Sequence, residues 1–264
     1  MTKKKKNKKE QPEGPNAVDF VKLIKRASLD GNPEVEDALL VVKKGIGTIK
    51  AFDNSGGIYT HTEAPVDLND GEYGLGKLAP LYGYIKNNAD KHIDIQKKKN
   101  RLIFTIKGHG KLLYLLVEPG AIKSQPDEEK SPDPSDLLEG FTHFLPLKKQ
   151  VVADLKSYIE YIKPRTINVQ VNEKGSVIFS GGAESESKFT LKAGKLVEID
   201  DAGEGDYPEE VISILSERLS IILKLLEWED TTPELYLGDG QIPVVMQNET
   251  TLWGINRQAN AEDE

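Results

Sequence analysis

Four histidines, one acidic cluster and one glycine-lysine segment are the residues of this 264-residue chain whose types could support catalysis or metal binding. The segment Gly74-Leu75-Gly76-Lys77 lacks the spacing of a phosphate-binding loop, and no hydroxyl residue follows its lysine to hold magnesium. The sequence therefore gives no support to nucleotide hydrolysis.

The histidines are scattered through the chain, at His61, His92, His109 and His143. They form no helical pair four residues apart, and the chain has no cysteine that could supply a thiolate ligand. We therefore expect solvated or structural histidines, with no metal site and no cofactor.

The acidic cluster lies in the segment 125–137, together with three prolines and almost no apolar residues. It lacks the glycine and the terminal glutamate of a calcium-binding EF-hand loop, so we interpret it as an exposed connector. Its members are Asp127, Glu128, Glu129, Asp133 and Asp136. Because carboxylates are numerous throughout the chain, no pair stands out for acid-base catalysis, and we expect a non-enzymatic protein.

The net charge is -8, from 35 basic and 43 acidic residues, although six lysines fall within Met1–Lys9. Net charge therefore indicates no general affinity for nucleic acid. The lysine run could bind nucleic acid or be a solvated tail, and the prolines after it favour the tail.

No apolar segment is long enough to span a membrane, and the lack of cysteine fits a reducing interior. We expect a cytoplasmic protein without a membrane partner.

The connector divides the chain into two parts of similar length, each large enough for its own core. We predict a disordered basic tail at 1–15, a first domain at 16–124, the connector at 125–138, a second domain at 139–256 and an acidic tail at 257–264.

The order of predicted elements is the same in both halves: a helix, strands, a second helix and further strands. In the first half, the first helix is indicated by the helical spacing of Phe20, Leu23, Ile24 and Ala27. It is followed by strands at 38–42, 48–52 and 57–62, a helix near 78–85, and strands at 92–96, 102–107 and 112–118. In the second half, a helix at 151–162 precedes strands at 166–171, 176–180 and 187–192, a helix at 208–227, and strands at 234–237, 242–247 and 251–255.

Three stretches carry a resemblance to a known family. GEYGLGKLAPLYGYIKNNADKHIDIQ and FTHFLPLKKQVVADLKSYIEYIKPRTINVQVNEKGSVIFSG resemble passages of the DNA sliding clamps of tailed bacteriophages. ELYLGDGQIPVVMQNETTLWGI resembles the final hairpins that these clamps share with proliferating cell nuclear antigen. The resemblance implies an α+β fold of two tandem clamp-type domains, each with two helices packed on antiparallel sheets, and a closed trimeric ring.

The function implied by the resemblance is a processivity factor that encircles duplex DNA without reading its sequence. It would tether the replicative DNA polymerase, be loaded by a separate ATP-dependent clamp loader, act in the cytoplasm of a bacterial host, and in some phages also serve the transcription machinery. The alternatives are a phage structural protein, a single-stranded-DNA-binding protein or a DNA enzyme such as a nuclease. Phe104, Phe179 and Phe189 fall in predicted strand cores, whereas single-strand binding needs exposed aromatic platforms.

A sliding clamp needs diffuse positive charge directed at phosphates, so lysines on the outer sides of its helices are the candidate DNA-facing residues. Lys22, Lys25 and Arg26 are expected opposite the apolar face of the first helix. Lys149, Lys156 and Lys163 recur at seven-residue spacing and so share one side of their helix. Lys77, Lys86 and Lys224 complete the set. The alternative for each of them is an ordinary solvated helix face.

The resemblance also suggests a subunit interface and a partner site. By position, the edge strand 111–117 would pair with 185–192 of the next subunit, through Lys111, Leu113, Leu115, Val117, Glu186, Lys188 and Thr190. A pocket for partner peptides would be lined by Ile122, Leu137, Val244 and Trp253, for which interior packing is the alternative.

Overall fold

A computed structural model describes residues 17–88, 93–106, 108, 110–123, 134–182, 187–199, 207–208, 210–228, 231–238 and 242–256. Both predicted tails, most of the predicted connector, and His92, His109 and Glu186 lie outside these ranges.

Five α-helices occur in the described ranges, and the first has the predicted apolar face. They are α1 (Ala17–Ala27), α2 (Leu78–Lys86), α3 (Pro134–Glu139), α4 (Lys149–Ile162) and α5 (Ser216–Leu225). In α1 the side chains of Phe20, Leu23, Ile24 and Ala27 are all fully buried, as their spacing predicts. The short helix α3 lies at the end of the segment predicted as a connector.

Sixteen strands lie in the same described ranges. They are β1 (Ala38–Lys43), β2 (Ile46–Phe52), β3 (Ile58–Pro65), β4 (Gly71–Leu75), β5 (Ile93–Lys98), β6 (Arg101–Ile106), β7 (Gly110–Leu115), β8 (His143–Pro146), β9 (Thr166–Val171), β10 (Ser176–Gly181), β11 (Phe189–Lys195), β12 (Val197–Glu198), β13 (Ile212–Leu215), β14 (Glu234–Leu237), β15 (Val244–Asn248) and β16 (Thr251–Ile255). All of their pairings are antiparallel.

The strands form three sheets, and the largest one joins the two halves of the chain. Its nine strands run in the order β12-β8-β14-β15-β16-β3-β2-β1-β4, so β16 from the end of the chain pairs with β3 from the first half. The order β11-β10-β9-β13 makes a four-stranded sheet, and β5-β6-β7 makes a three-stranded one. The halves therefore share one continuous sheet.

Neighbouring residues on the strands of the large sheet point to opposite faces, and both faces are covered. Ile58, Met246 and Trp253 belong to the main core, which also contains the buried residues of α1, α2, α4 and α5. Tyr59 and Val245 point the other way, into a smaller cluster. We call these sides the helix face and the outer face.

One predicted helix is wrong in its first part. The segment predicted as a helix over 208–227 contains β13, which pairs with β9, and α5 begins only at Ser216. Ile212 and Ile214 are both fully buried, which is the two-residue period of a strand. The helical prediction arose because Ile212, Leu215 and Leu219 also fit a spacing of three to four residues.

The strand β4 was missing from the sequence prediction because its segment is rich in glycine. Gly74 forms an isolated bridge with Val117, and a Cβ atom on Gly74 would lie 2.4 Å from the Val117 carbonyl oxygen. Gly76 has a similar role, since its Cβ would lie 2.7 Å from a methyl group of Val117. These glycines therefore allow two segments of the first half to approach closely.

No helix in the described ranges is long and apolar enough to cross a membrane. Within the same ranges, no three His, Asp or Glu side chains are grouped in a way that could hold a metal ion.

Candidate nucleic-acid interface

The four main helices form two contacting pairs and carry more basic than acidic side chains. Helix α1 contacts α2, α4 contacts α5, and Lys25 of α1 pairs with Glu227, which follows α5. Eight basic residues lie within these helices, Lys22, Lys25, Arg26, Lys86, Lys149, Lys156, Arg218 and Lys224, against four acidic ones, Asp19, Asp154, Glu160 and Glu217. The whole chain has the opposite balance, with a net charge of -8. Positive charge is thus concentrated on the helices.

Arg26 is not on the exposed side of α1, which corrects the sequence-based expectation. Its side chain is 4% exposed, and Nη2 lies 2.8 Å from a carboxylate oxygen of Glu249 and 3.3 Å from one of Glu227. Lys25 Nζ donates to the other oxygen of Glu227 at 2.8 Å. Two predicted DNA-facing cations therefore hold the first half of the chain to the second.

The electrostatics of Glu227 reflect these contacts. Partial burial raises the pKa of Glu227, but the hydrogen bond from Lys25 and the charges of Lys25, Arg26 and Lys22 outweigh it. The pKa therefore lies below its ordinary value, and the carboxylate is ionised at neutral pH.

The other first-half candidates differ from one another. Lys86 Nζ lies 3.4 Å from a carboxylate oxygen of Asp30, which also accepts a hydrogen bond from the Tyr82 hydroxyl at 2.7 Å. Lys77 is exposed at the start of α2, and Lys22 is half-buried on α1. Neither of these two has a carboxylate within 4 Å in the described part of the chain.

The second-half candidates are accessible and carry no ion pair within the ranges that the structure describes. Lys149, Lys163 and Lys224 are exposed, and Lys156 is half-buried. A groove of about 330 Å³ separates α4 from α5, and its lining residues are Ile159, Lys163, Pro164, Ser216, Glu217, Ser220, Ile221 and Lys224.

Both strands predicted to form the subunit interface lie at sheet edges. Strand β7 ends the three-stranded sheet, and β11 ends the four-stranded sheet. On β7 the side chains of Leu113 and Leu115 are 55% and 56% exposed, while Leu112 and Tyr114 pack against the core. Beside β11, the ring of Tyr158 stacks on Phe189 at 5.0 Å between centroids. Large apolar side chains thus accompany two open edges.

The remaining interface candidates differ in whether they lie at an open sheet edge. Lys111, Lys188 and Thr190 are exposed at these edges. Val117 lies beyond β7 and donates its backbone N–H to Gly74 at 3.0 Å, so its pairing is already made within the chain. Including Val117 in the open edge was therefore wrong.

The predicted partner pocket is not one site. Ile122, Leu137, Val244 and Trp253 are all buried, at 8%, 8%, 0% and 0% exposure. Val244 and Trp253 pack in the helix-face core, whereas Leu137 belongs to the cluster on the outer face. The large sheet lies between these positions, so the four residues cannot line one pocket.

Sequence reasoning missed the apolar cluster on the outer face of the large sheet, which we call the outer-face cluster. Its buried members are Tyr59, Leu137, Phe141, Tyr236, Val245 and Leu252, with half-buried Phe52, Leu138, Phe144, Ile199 and Ile242 packed around them. The signal was present in the sequence, because β3, β14, β15 and β16 carry apolar residues at both odd and even positions.

Comparisons with solved structures identify the fold. A putative DNA polymerase III beta subunit from Eubacterium rectale superposes with a TM-score of 0.67 at 11% identity, over 98% of this chain and 68% of that one. The DNA polymerase sliding clamp from Pseudomonas aeruginosa gives 0.63 at 16% identity, over 95% and 69%. Proliferating cellular nuclear antigen from Entamoeba histolytica gives 0.65 at 15% identity, over 92% and 96%.

No protein-family profile matches the sequence, and no curated protein matches it significantly. At these identities the structural similarity establishes the fold alone. The chain is an α+β protein with the DNA clamp fold, which confirms the fold class expected from the sequence.

Proposed function

We propose that this chain is the subunit of a sliding clamp, a ring that encircles duplex DNA and tethers the replicative polymerase. The observation that carries the proposal is the set of four helices with eight basic and four acidic side chains, in a clamp-fold chain of net charge -8. Lysines on helices attract phosphates without reading bases, which allows DNA to be held and still to slide. The clamp performs no reaction itself.

Ring closure would join β7 of one subunit to β11 of the next. Because the two edges are different strands, the contact is heterologous, and copies joined in this way close into a ring or continue as a filament. Leu113 and Leu115 would be covered in the contact, together with the Tyr158 and Phe189 rings. The chain matches 96% of the antigen's length and about two thirds of the bacterial beta subunits, which favours three subunits of the antigen's size.

Polymerase tethering is assigned to the outer-face cluster, in place of the pocket expected from the sequence. Its half-buried rim includes Phe144, Ile199 and Ile242, which could receive the apolar anchors of a partner peptide. Loading by an ATPase, a phage origin and a role in transcription rest on the sequence resemblance.

The decisive experiment combines mass and topology. Light scattering should give a mass of three times 29.3 kDa. Once assembled on DNA, the protein should stay bound to a nicked circle at high salt and leave the same DNA after linearisation. A monomeric mass at high concentration, or equal dissociation of the protein from the circular and the linearised DNA, would contradict the proposal.

A further inference from the structure

The two halves of the chain use their basic helix residues differently. In the first half, Lys25, Arg26 and Lys86 are all engaged with carboxylates of the same chain. In the second half, Lys149, Lys156, Lys163 and Lys224 have no carboxylate within 4 Å among the residues that the structure describes. Among the described residues, four candidate lysines without an ion pair therefore lie on or directly after α4 and α5, against two, Lys22 and Lys77, in the first half.

Two of these second-half lysines line one groove. Lys149 and Lys156 lie seven residues apart on one side of α4, and Lys163 follows the end of the helix in the left-handed conformation. Lys163 lines the groove from the end of α4, and Lys224 lines it from α5. The other side of α4 carries Tyr158, which packs toward β11.

The lining of the groove suits a phosphate group. Its apolar part consists of Ile159, Pro164 and Ile221, with the hydroxyls of Ser216 and Ser220 beside them. The Ser216 hydroxyl donates to the Pro164 carbonyl, so Ser220 is the hydroxyl left to donate to a ligand. Glu217 is the single acidic residue of the lining, and two lysines outnumber it.

We propose that the groove between α4 and α5 is the main phosphate-binding surface of the subunit, so that duplex DNA is held by the second half. This inference rests on the proposed clamp function. A phosphodiester offers a negative charge and acceptor oxygens, which match ammonium groups and a serine hydroxyl. Paired cations such as Lys25 would have to give up a carboxylate to make the same contact, so they contribute less.

Cross-linking from defined positions tests the inference, because the chain has no cysteine and each introduced thiol is unique. Ser220→Cys reports on the groove and Val18→Cys on the exposed side of α1. Val197→Cys is the control, since Val197 is exposed and pairs with Phe144, which lies on the outer face. Each full-length variant would carry a photoactivatable benzophenone and be illuminated with a short duplex DNA.

We expect the highest yield from Ser220→Cys, a several-fold lower yield from Val18→Cys and background from Val197→Cys. Equal yields from Ser220→Cys and Val18→Cys would overturn the inference and leave the clamp proposal intact. If neither yield exceeds that of Val197→Cys, the helices do not face DNA and both proposals fail.

A charge test gives an independent readout. The double variant K163Q/K224Q should reduce the slope of log affinity against log salt by about two, since each lost phosphate contact removes about 0.9. The matched variant K22Q/K77Q also removes two lysines without an ion pair. It should reduce the slope by less than half as much. Equal reductions of the slope in the two variants would overturn the inference. Unchanged oligomer mass in both variants would show that assembly is preserved.

Discussion

At the scale of single residues, the most informative contact is the one between Arg26 and the two carboxylates of Glu227 and Glu249. The partners are separated from Arg26 by 201 and 223 residues, and Arg26 is almost completely buried. Asn248 adds to the same junction, since its side-chain amide donates to the Glu227 carbonyl and accepts from the Glu227 N–H, each at 3.1 Å. This network fixes the end of α5 against α1.

Replacing Glu227 by Gln should destabilise the fold by about 1 to 3 kcal/mol, because it leaves a buried guanidinium with a single carboxylate. Urea unfolding monitored by circular dichroism measures the change. Glu217→Gln is the matched control on the exposed side of α5, and we expect it to stay within about 0.5 kcal/mol of the wild type. Equal decreases of the unfolding free energy in both variants would mean that the network contributes no specific stability.

The same residue predicts a pH dependence. The pKa of Glu227 in the folded state lies below its ordinary value of 4.5, so its contribution to stability is present above pH 4.5 and is lost as the pH falls through the folded-state pKa. The stability difference between the wild type and Glu227→Gln should therefore be constant near neutrality and shrink in acid. Urea titrations at a series of pH values measure it, and a difference that grows in acid would contradict the assignment.

At the scale of elements, the close approach between β4 and the segment after β7 depends on a missing side chain. Gly74→Ala would place a Cβ atom against the Val117 carbonyl and break the bridge between these segments. We expect a loss of about 1 to 3 kcal/mol, measured by thermal unfolding. Gly83→Ala is the control, because Gly83 lies within α2 with no atom near its Cβ position, and should stabilise by up to about 1 kcal/mol.

The open edges make a second prediction about elements. The double variant L113E/L115E places two charges on the exposed face of β7, beside the edge proposed to pair with β11. The proposed ring should then not form, so light scattering should give the mass of a monomer, with an unchanged far-UV circular dichroism spectrum. I46E, at another exposed apolar side chain, is the control and should assemble normally. Persistence of the trimer in L113E/L115E would exclude β7 as the contact.

At the scale of the whole molecule, the sequence predicted most strands and the apolar face of α1, because both depend on local periodicity, and it predicted the fold class through its resemblance to sliding clamps. It failed where distant segments meet. A helical projection cannot show that Glu227 and Glu249 close over Arg26, and strand alternation cannot show which face of the large sheet receives Trp253. The strand β4 was not predicted, because Gly74 pairs with Val117, which is far along the chain.

The whole-molecule prediction concerns retention on DNA. Replacing Lys22, Lys149 and Lys156 by alanine, with the ion-paired Lys25 left in place, should preserve the oligomer and reduce clamp-dependent DNA synthesis, because diffuse attraction to phosphates is lost. Primer extension with a cognate polymerase measures product length, and mass measurement verifies assembly. Undiminished product length would remove the assignment of these helices to the channel.

The pairing of β16 with β3 also has a consequence for biosynthesis. Thr251 lies opposite Thr62, 189 residues earlier in the chain, and their hydroxyl oxygens are 2.8 Å apart. While the ribosome is still making the second half, β4, β1, β2 and β3 can assemble, but β3 has no neighbour on its other side. The nascent first half therefore carries an exposed strand edge until residues 251–255 emerge, and only then does the nine-stranded sheet become continuous.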